Sequence, residues 1–125
     1  MNLNPMILTE SDREHLAEIR STCRSIARRA AKLTPERAPY LDGGLWFADF
    51  LRPLQRVGLM TYGLSREFRE ATRDEIPWGY VALLQVITWV SEHHQNRLIE
   101  WDVVSKDLPK LTAFCDRWLD GGAVT

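Results

Sequence analysis

One segment near the amino terminus, residues 16–33, most limits how this chain can fold. Its apolar residues recur in alternating steps of three and four, at Leu16, Ile19, Cys23, Ile26, Ala30 and Leu33. This spacing places them along one face of an α-helix. The pattern therefore predicts a long helix with a narrow apolar seam that packs against a core or a partner.

The same helix carries a line of cations, here called the basic ridge: Arg20, Arg24, Arg28 and Lys32, which follow one another at steps of four. None of its three arginines has an acidic residue three or four positions away, so their helix offers them no counter-charge. Residues 92–120 hold six acidic residues against four basic ones. We therefore predict that acids near the carboxyl terminus neutralise the ridge within the fold; the alternative is an acidic partner.

The chain as a whole predicts a single all-α domain. Its 125 residues suffice for one core, and the 45% hydrophobic content favours a compact fold over disorder. We expect a bundle of four to six helices over residues 1–125, with an N-terminal extension at 1–10 and a connector at 34–44. The apolar run at about 77–94 leaves almost no polar face, which predicts a central helix buried on all sides.

Local signals predict where individual helices begin and bend. Ser11 and Glu14 have the spacing of a capping box, which predicts the start of the first helix. Pro53 lies inside an amphipathic segment and predicts a kink or break just before it. Asp107 is expected to cap the last helix. Residues 98–104 alternate between apolar and polar, so a strand stays open there, although a helix or an extended connector is favoured.

The sequence contains few candidates for catalysis or metal binding. Cys23 and Cys115 lie far apart on apolar helical faces without a zinc or redox motif, so we expect buried reduced thiols. His93 and His94 are adjacent, and adjacent helix positions diverge by about 100°, which disfavours chelation of one ion. We therefore predict that the chain is not an enzyme and has no catalytic, cofactor-binding or metal site.

Net charge and aromatic content bear on the kind of partner. The formal net charge is only −1, which argues against general attraction to nucleic acid or to an anionic membrane. Five tryptophans are many for a chain of this length, and tryptophan is enriched where proteins bind each other. Trp78, between Pro77 and Gly79, is the tryptophan that we expect to be exposed.

These features favour a small intracellular protein-binding module. An inhibitor or neutraliser of a partner protein, such as an immunity protein, antitoxin or phage-type inhibitor, fits a compact chain without catalytic motifs. Since the sequence shows no signal-peptide pattern and no run of about 18 apolar residues, we expect a cytoplasmic protein without membrane contact. The partner's identity and the oligomeric state stay open. The candidate partner-binding residues are Arg20, Arg24, Arg28, Lys32 and Trp78.

The alternative function is that of a nucleic-acid-binding regulator. It would use the cations of the first helix to contact phosphates, as small helical domains often do. No recognition helix can be assigned from the sequence, so this remains the second hypothesis. The cations it would use are Arg20, Arg24, Arg28, Arg29 and Lys32.

Overall fold

Helices make up all of the regular structure in the described part of the chain. The computed structural model describes residues 8–34, 36, 43–87 and 99–121, and no strand occurs among them. The α-helices are α1 (Glu10–Ala30), α2 (Gly43–Trp46), α3 (Arg52–Thr61), α4 (Arg66–Ala71), α5 (Trp78–Ala82), α6 (Leu84–Ile87) and α7 (Leu108–Asp116). Three π-helical segments adjoin them: π1 (Phe47–Leu51), π2 (Val103–Asp107) and π3 (Arg117–Gly121). The prediction of a compact all-α bundle is confirmed.

Helix α1 is the element around which the core is arranged. Its apolar seam is confirmed from Leu16 to Ala30, because Leu16, Ile19, Cys23 and Ile26 are buried and Ala30 is partly buried against the same cluster. The helix ends at Ala30, earlier than predicted, and Leu33 packs against the cluster from the turn that follows. The helix packs against both α3 and α7. Burying four such side chains is worth several kcal/mol, at about 1.5–3 kcal/mol for each large apolar one, so this seam is a main source of stability.

The start of α1 differs from the prediction. Thr9 caps the helix instead of Ser11: its hydroxyl accepts the Asp12 amide at 3.0 Å, and the Asp12 carboxylate accepts the Thr9 amide at 3.4 Å. The sequence pattern fits both pairs of residues. The buried Asp12 carboxylate also accepts the amide of Ser65 at 2.6 Å and its hydroxyl at 2.7 Å. This tertiary contact, which local spacing does not show, favours Asp12 over Glu14.

The Asp12 carboxylate thereby links the starts of two helices. Ser65 is the N-cap of α4, and its hydroxyl oxygen accepts the Phe68 amide at 3.2 Å. The same hydroxyl donates its proton to Asp12. One buried carboxylate thus orders the first turn of α1 directly and the first turn of α4 through Ser65.

Two prolines are accommodated by π-helical turns instead of helix breaks. In π1 the Arg52 amide bonds to the Phe47 carbonyl, five residues back, immediately before Pro53. In π2 the Leu108 amide bonds to the Val103 carbonyl, again immediately before a proline, Pro109. A proline donates no amide proton and clashes with the preceding turn of an α-helix, and the wider turn changes the register there. The predicted disturbance before Pro53 is therefore a local change of helix type.

A side chain of α1 also bonds to the backbone of π1, close to Pro53. The guanidinium of Arg29 donates to the Asp49 carbonyl at 3.4 Å and lies 3.9 Å from the Asp49 carboxylate. Arg29 thus links α1 to π1 through both the backbone and the side chain of Asp49.

Several predicted boundaries are corrected by the structure. Glu10 already belongs to α1, and Gly43 and Gly44 belong to α2, so the 1–10 extension and the 34–44 connector are both shorter than expected where the structure describes them. Asp107 makes no capping hydrogen bond, because the chain is helical on both sides of it. Residues 99–104 are helical, which excludes the strand over that range.

The predicted central helix is present only in part. A helix starts after Pro77, but α5 and α6 are separated by a turn at Leu83. Burial on all sides is wrong for the described part, since Tyr80, Leu83 and Val86 are exposed while Val81 is buried. Residues 88–94 lie outside the described residues.

The Asp12 link makes a testable prediction about stability. Asp12→Ala should lower the free energy of unfolding by about 3 kcal/mol, because it removes a cap and leaves the partly buried Ser65 donors without their charged acceptor. Glu14→Ala is the matched control on the exposed side of the same turn and should change stability by less than about 0.5 kcal/mol. Urea unfolding of both variants is the measurement, and equal losses would contradict the assignment.

Candidate functional site

The basic ridge is partly neutralised inside the molecule. Arg20 donates to Asp116 at 3.2 Å and to Asp120 at 2.7 Å, and Arg24 donates to Asp116 at 2.8 Å. Burial by itself would lower the pKa of Arg20, but the hydrogen bonds to Asp116 and Asp120 outweigh that effect and raise it. For these two arginines, the prediction that acids near the carboxyl terminus supply the counter-charge is confirmed.

The other half of the ridge remains exposed. Arg28 and Lys32 are exposed and form no ion pair with any residue that the structure describes. Arg29, on a neighbouring line of the helix, is bound to Asp49 as described above. The structure therefore divides the ridge into an internally paired half and a free half at the carboxyl end of α1.

Trp78 is not exposed, in contrast to the prediction. Only 5% of its surface is accessible, and its indole N–H donates to the Thr72 hydroxyl at 2.9 Å. Its ring lies 5.5 Å from Phe114 and 6.3 Å from Phe68, measured between centroids, within a cluster of aromatic rings. Pro77 and Gly79 begin a helix rather than an exposed loop, and this helix directs the indole into the core.

The two cysteines are buried free thiols, as predicted. Burial raises the pKa of Cys23 to about 12, although a hydrogen bond with Thr112 opposes the shift. Burial likewise raises the pKa of Cys115 to about 12, with the Cys23 thiol adding to it. Both thiols stay protonated at neutral pH and lack the exposure and thiolate character that nucleophilic cysteines need.

Exposed apolar residues of α5, of α6 and of the turn between them form a feature that the sequence did not predict, here called the apolar strip: Tyr80, Leu83 and Val86. Their exposed fractions are 41%, 50% and 55%. The amide of Leu83 bonds to the Tyr80 carbonyl at 3.1 Å and to the Gly79 carbonyl at 3.3 Å, and the amide of Val86 bonds to the Leu83 carbonyl at 2.8 Å. Bonds that span three residues thus accompany one that spans four, which tightens the chain at the turn between α5 and α6. Residues three apart are neighbours on one helical face, so the strip lies on one side.

A close contact with α3 holds the backbone beside the strip. A Cβ atom placed on Gly58 would lie 2.6 Å from the Gln85 backbone nitrogen and 3.1 Å from the Ala82 carbonyl oxygen. Real side chains do not tolerate such distances to backbone atoms, so only glycine permits this approach. The strip is thus presented from a backbone that rests directly on α3.

An apolar groove of about 250 Å³ adjoins the strip, between α5–α6 and the helical stretch π2–α7. Glu75, Asp107 and Lys110 add charges to its lining. Partial burial raises the pKa of the Tyr80 phenol, and the nearby Asp107 carboxylate adds to the shift, so the phenol can donate a hydrogen bond at neutral pH. The apolar lining includes Ile76, Tyr80, Val81, Leu84, Val103 and Leu108.

Sequence reasoning missed this surface because it assumed an α-helical period throughout residues 77–94. Apolar side chains occupy nearly every position there, so an α-helix would bury them on all sides and no exposed face can be recognised. The step of three from Tyr80 to Val86 is visible in the sequence. It becomes informative only with the hydrogen bonds that span three residues.

Comparison with known proteins identifies no relative of this chain. No family model, no curated protein and no solved structure matches this chain. In the described ranges, no helix combines the length and the apolar character needed to cross a membrane. Nor do three or more histidine, cysteine or carboxylate side chains come together there as a metal site, while His93 and His94 lie outside the described residues.

The divided ridge predicts unequal effects of two similar substitutions. Arg20→Gln removes two ion pairs of a side chain that is only 20% exposed, so we expect a stability loss of about 1 kcal/mol that shrinks at high salt. Arg28→Gln changes the net charge equally without breaking a described pair and should have almost no effect. Thermal unfolding at low and high salt compares them, and equal losses would refute the internal pairing.

The buried thiols predict resistance to modification. At pH 8 a thiol with a pKa near 12 has roughly a thousandfold less thiolate than an ordinary cysteine, and burial blocks access as well. The folded protein should therefore react negligibly with Ellman's reagent, whereas the urea-unfolded protein should release two equivalents of the chromophore, one for each cysteine. Rapid labelling of the folded chain would overturn the assignment of both thiols to the core.

Proposed function

We propose that this chain is a small cytoplasmic protein-binding module that inhibits or neutralises a partner protein. Inhibitors of this kind, such as immunity proteins, antitoxins and phage-type inhibitors, act by covering a surface of the partner. They need a rigid, well-presented binding surface and no catalytic group. The two free buried cysteines are consistent with a reducing compartment.

The observation that carries the proposal is the apolar strip beside the apolar groove. Three large apolar side chains, each more than two-fifths exposed, are aligned on one side of α5–α6 next to a concavity. Contiguous exposed apolar surface with a polar rim is typical of protein-binding sites. Here Glu75, Asp107 and Lys110 supply the rim, which would set the orientation of the partner.

The ridge supports a secondary contact at most. Arg28 and Lys32 are available to an acidic surface of the partner, whereas Arg20 and Arg24 already have carboxylate partners. The nucleic-acid hypothesis needs all of these cations together with Arg29, which is bound to Asp49. Only two of the five cations that the nucleic-acid hypothesis requires are therefore free of a carboxylate partner among the described residues. We propose protein binding instead.

The test is a comparison of two glutamate variants in affinity capture from nuclease-treated native lysate. Leu83→Glu places a charge in the middle of the strip and should weaken capture of the partner at least about tenfold. Leu45→Glu is the matched control, because Leu45 is exposed to 52% on α2, outside the strip. The product of the neighbouring gene is the first candidate partner. Binding measured between the purified partner and each purified variant should reproduce the difference between Leu83→Glu and Leu45→Glu.

Two further results decide between the functions. The purified chain should abolish an activity of the captured protein, which separates an inhibitor from a scaffold. Melting temperatures of both variants should match that of the parent chain, so that lost binding is not lost folding. A capture profile unaffected by Leu83→Glu, or retention of nucleic acid that salt abolishes, would overturn the proposal.

A further inference from the structure

An open cleft of about 470 Å³ lies at α4 and the turn that follows it. Three arginines line it: Arg66 and Arg69 on α4, and Arg73 in the turn after the helix. Glu70 is the one acidic residue of the lining. Three positive charges against one negative charge give the cleft a net charge of +2, in a molecule whose formal net charge is −1.

The arginines of this cleft are not equally satisfied. Arg66 pairs with Glu70 at 2.9 Å, which uses the acid of the lining. Arg69 and Arg73 form no ion pair with any residue in the described ranges. The Nε–H of Arg69 is buried and has no hydrogen-bond partner among the residues that the structure describes. The described part of the fold therefore leaves the Arg69 guanidinium without a counter-charge and without the acceptor that a buried donor requires.

The rest of the lining is apolar and rigid. Ile76, Pro77 and the edge of Trp78 form its wall, and Trp78 is fixed by its bond to Thr72 and by the aromatic cluster. An apolar wall lowers the local dielectric constant and strengthens contacts between guanidinium groups and an anion. Guanidinium groups also bind phosphate and carboxylate oxygens in pairs, with directional hydrogen bonds.

We infer that this cleft is an oxyanion-binding site, with Arg69 and Arg73 as its principal ligands and Arg66 at its edge. The bound group is a phosphate or a carboxylate, which share the oxygen geometry that a guanidinium recognises. The inference is independent of the proposed protein-binding function, because the three arginines line neither the apolar strip nor the groove beside it, and because it is tested with free ions.

The test follows the Nε–Hε signal of Arg69 and the indole N–H signal of Trp78 by nuclear magnetic resonance in the full-length ¹⁵N-labelled chain. Inorganic phosphate and acetate are titrated separately at constant ionic strength, with sodium chloride as the balancing salt. We expect both signals to shift and saturate with at least one of the two anions. The anion that saturates the site identifies phosphate or carboxylate as the preferred group.

Variants establish where the anion binds. Arg69→Gln and Arg73→Gln should each lower the affinity for the anion that saturates the site at least about tenfold, as measured from the Trp78 indole signal. Arg73 is exposed in a turn, so its variant keeps the test valid if Arg69→Gln fails to fold. Arg56→Gln, which changes the net charge equally outside the cleft, should leave the affinity unchanged. Three results would overturn the site: signal shifts that do not saturate with either anion, the same shifts on addition of sodium chloride alone, or an equal affinity for the anion in all three variants.

Discussion

The buried carboxylate of Asp12 is the interaction on which the arrangement of the helices most depends. A charged group with 1% exposure is tolerated only when hydrogen bonds replace its water, and Asp12 receives them from Thr9 and Ser65. Because Ser65 also caps α4, the starts of α1 and α4 are held against each other. The connection from α3 to α4 is thereby fixed relative to the longest helix, and the aromatic residues that follow can pack in one register.

Part of this fold follows directly from the sequence. The seam of α1 is predicted by spacing alone, since a period of 3.6 residues over five turns leaves no other face to bury. Pro53 correctly marks a place where the helix changes, and acids near the carboxyl terminus are correctly predicted to neutralise Arg20 and Arg24. These predictions hold because each depends on short-range geometry or on simple charge balance.

The remaining features depend on contacts that spacing does not encode. Two capping patterns compete at the start of α1, and the choice between them is made by Ser65, 53 positions away. The burial of Trp78 depends on Thr72 and on rings from α4 and α7. The apolar strip depends on the turn at Leu83, where hydrogen bonds that span three residues accompany one that spans four, and no count of apolar positions at 77–94 can show this turn.

The contact at Gly58 has a consequence for how this molecule can change over evolutionary time. The backbone from Ala82 to Gln85 rests on that glycine, so the position of the strip depends on a residue that is not part of it. Variation at Gly58, or at the residues that position α3, would move the strip without altering any of its side chains. The shape of this exposed surface can therefore change through substitutions in the packed layer beneath it.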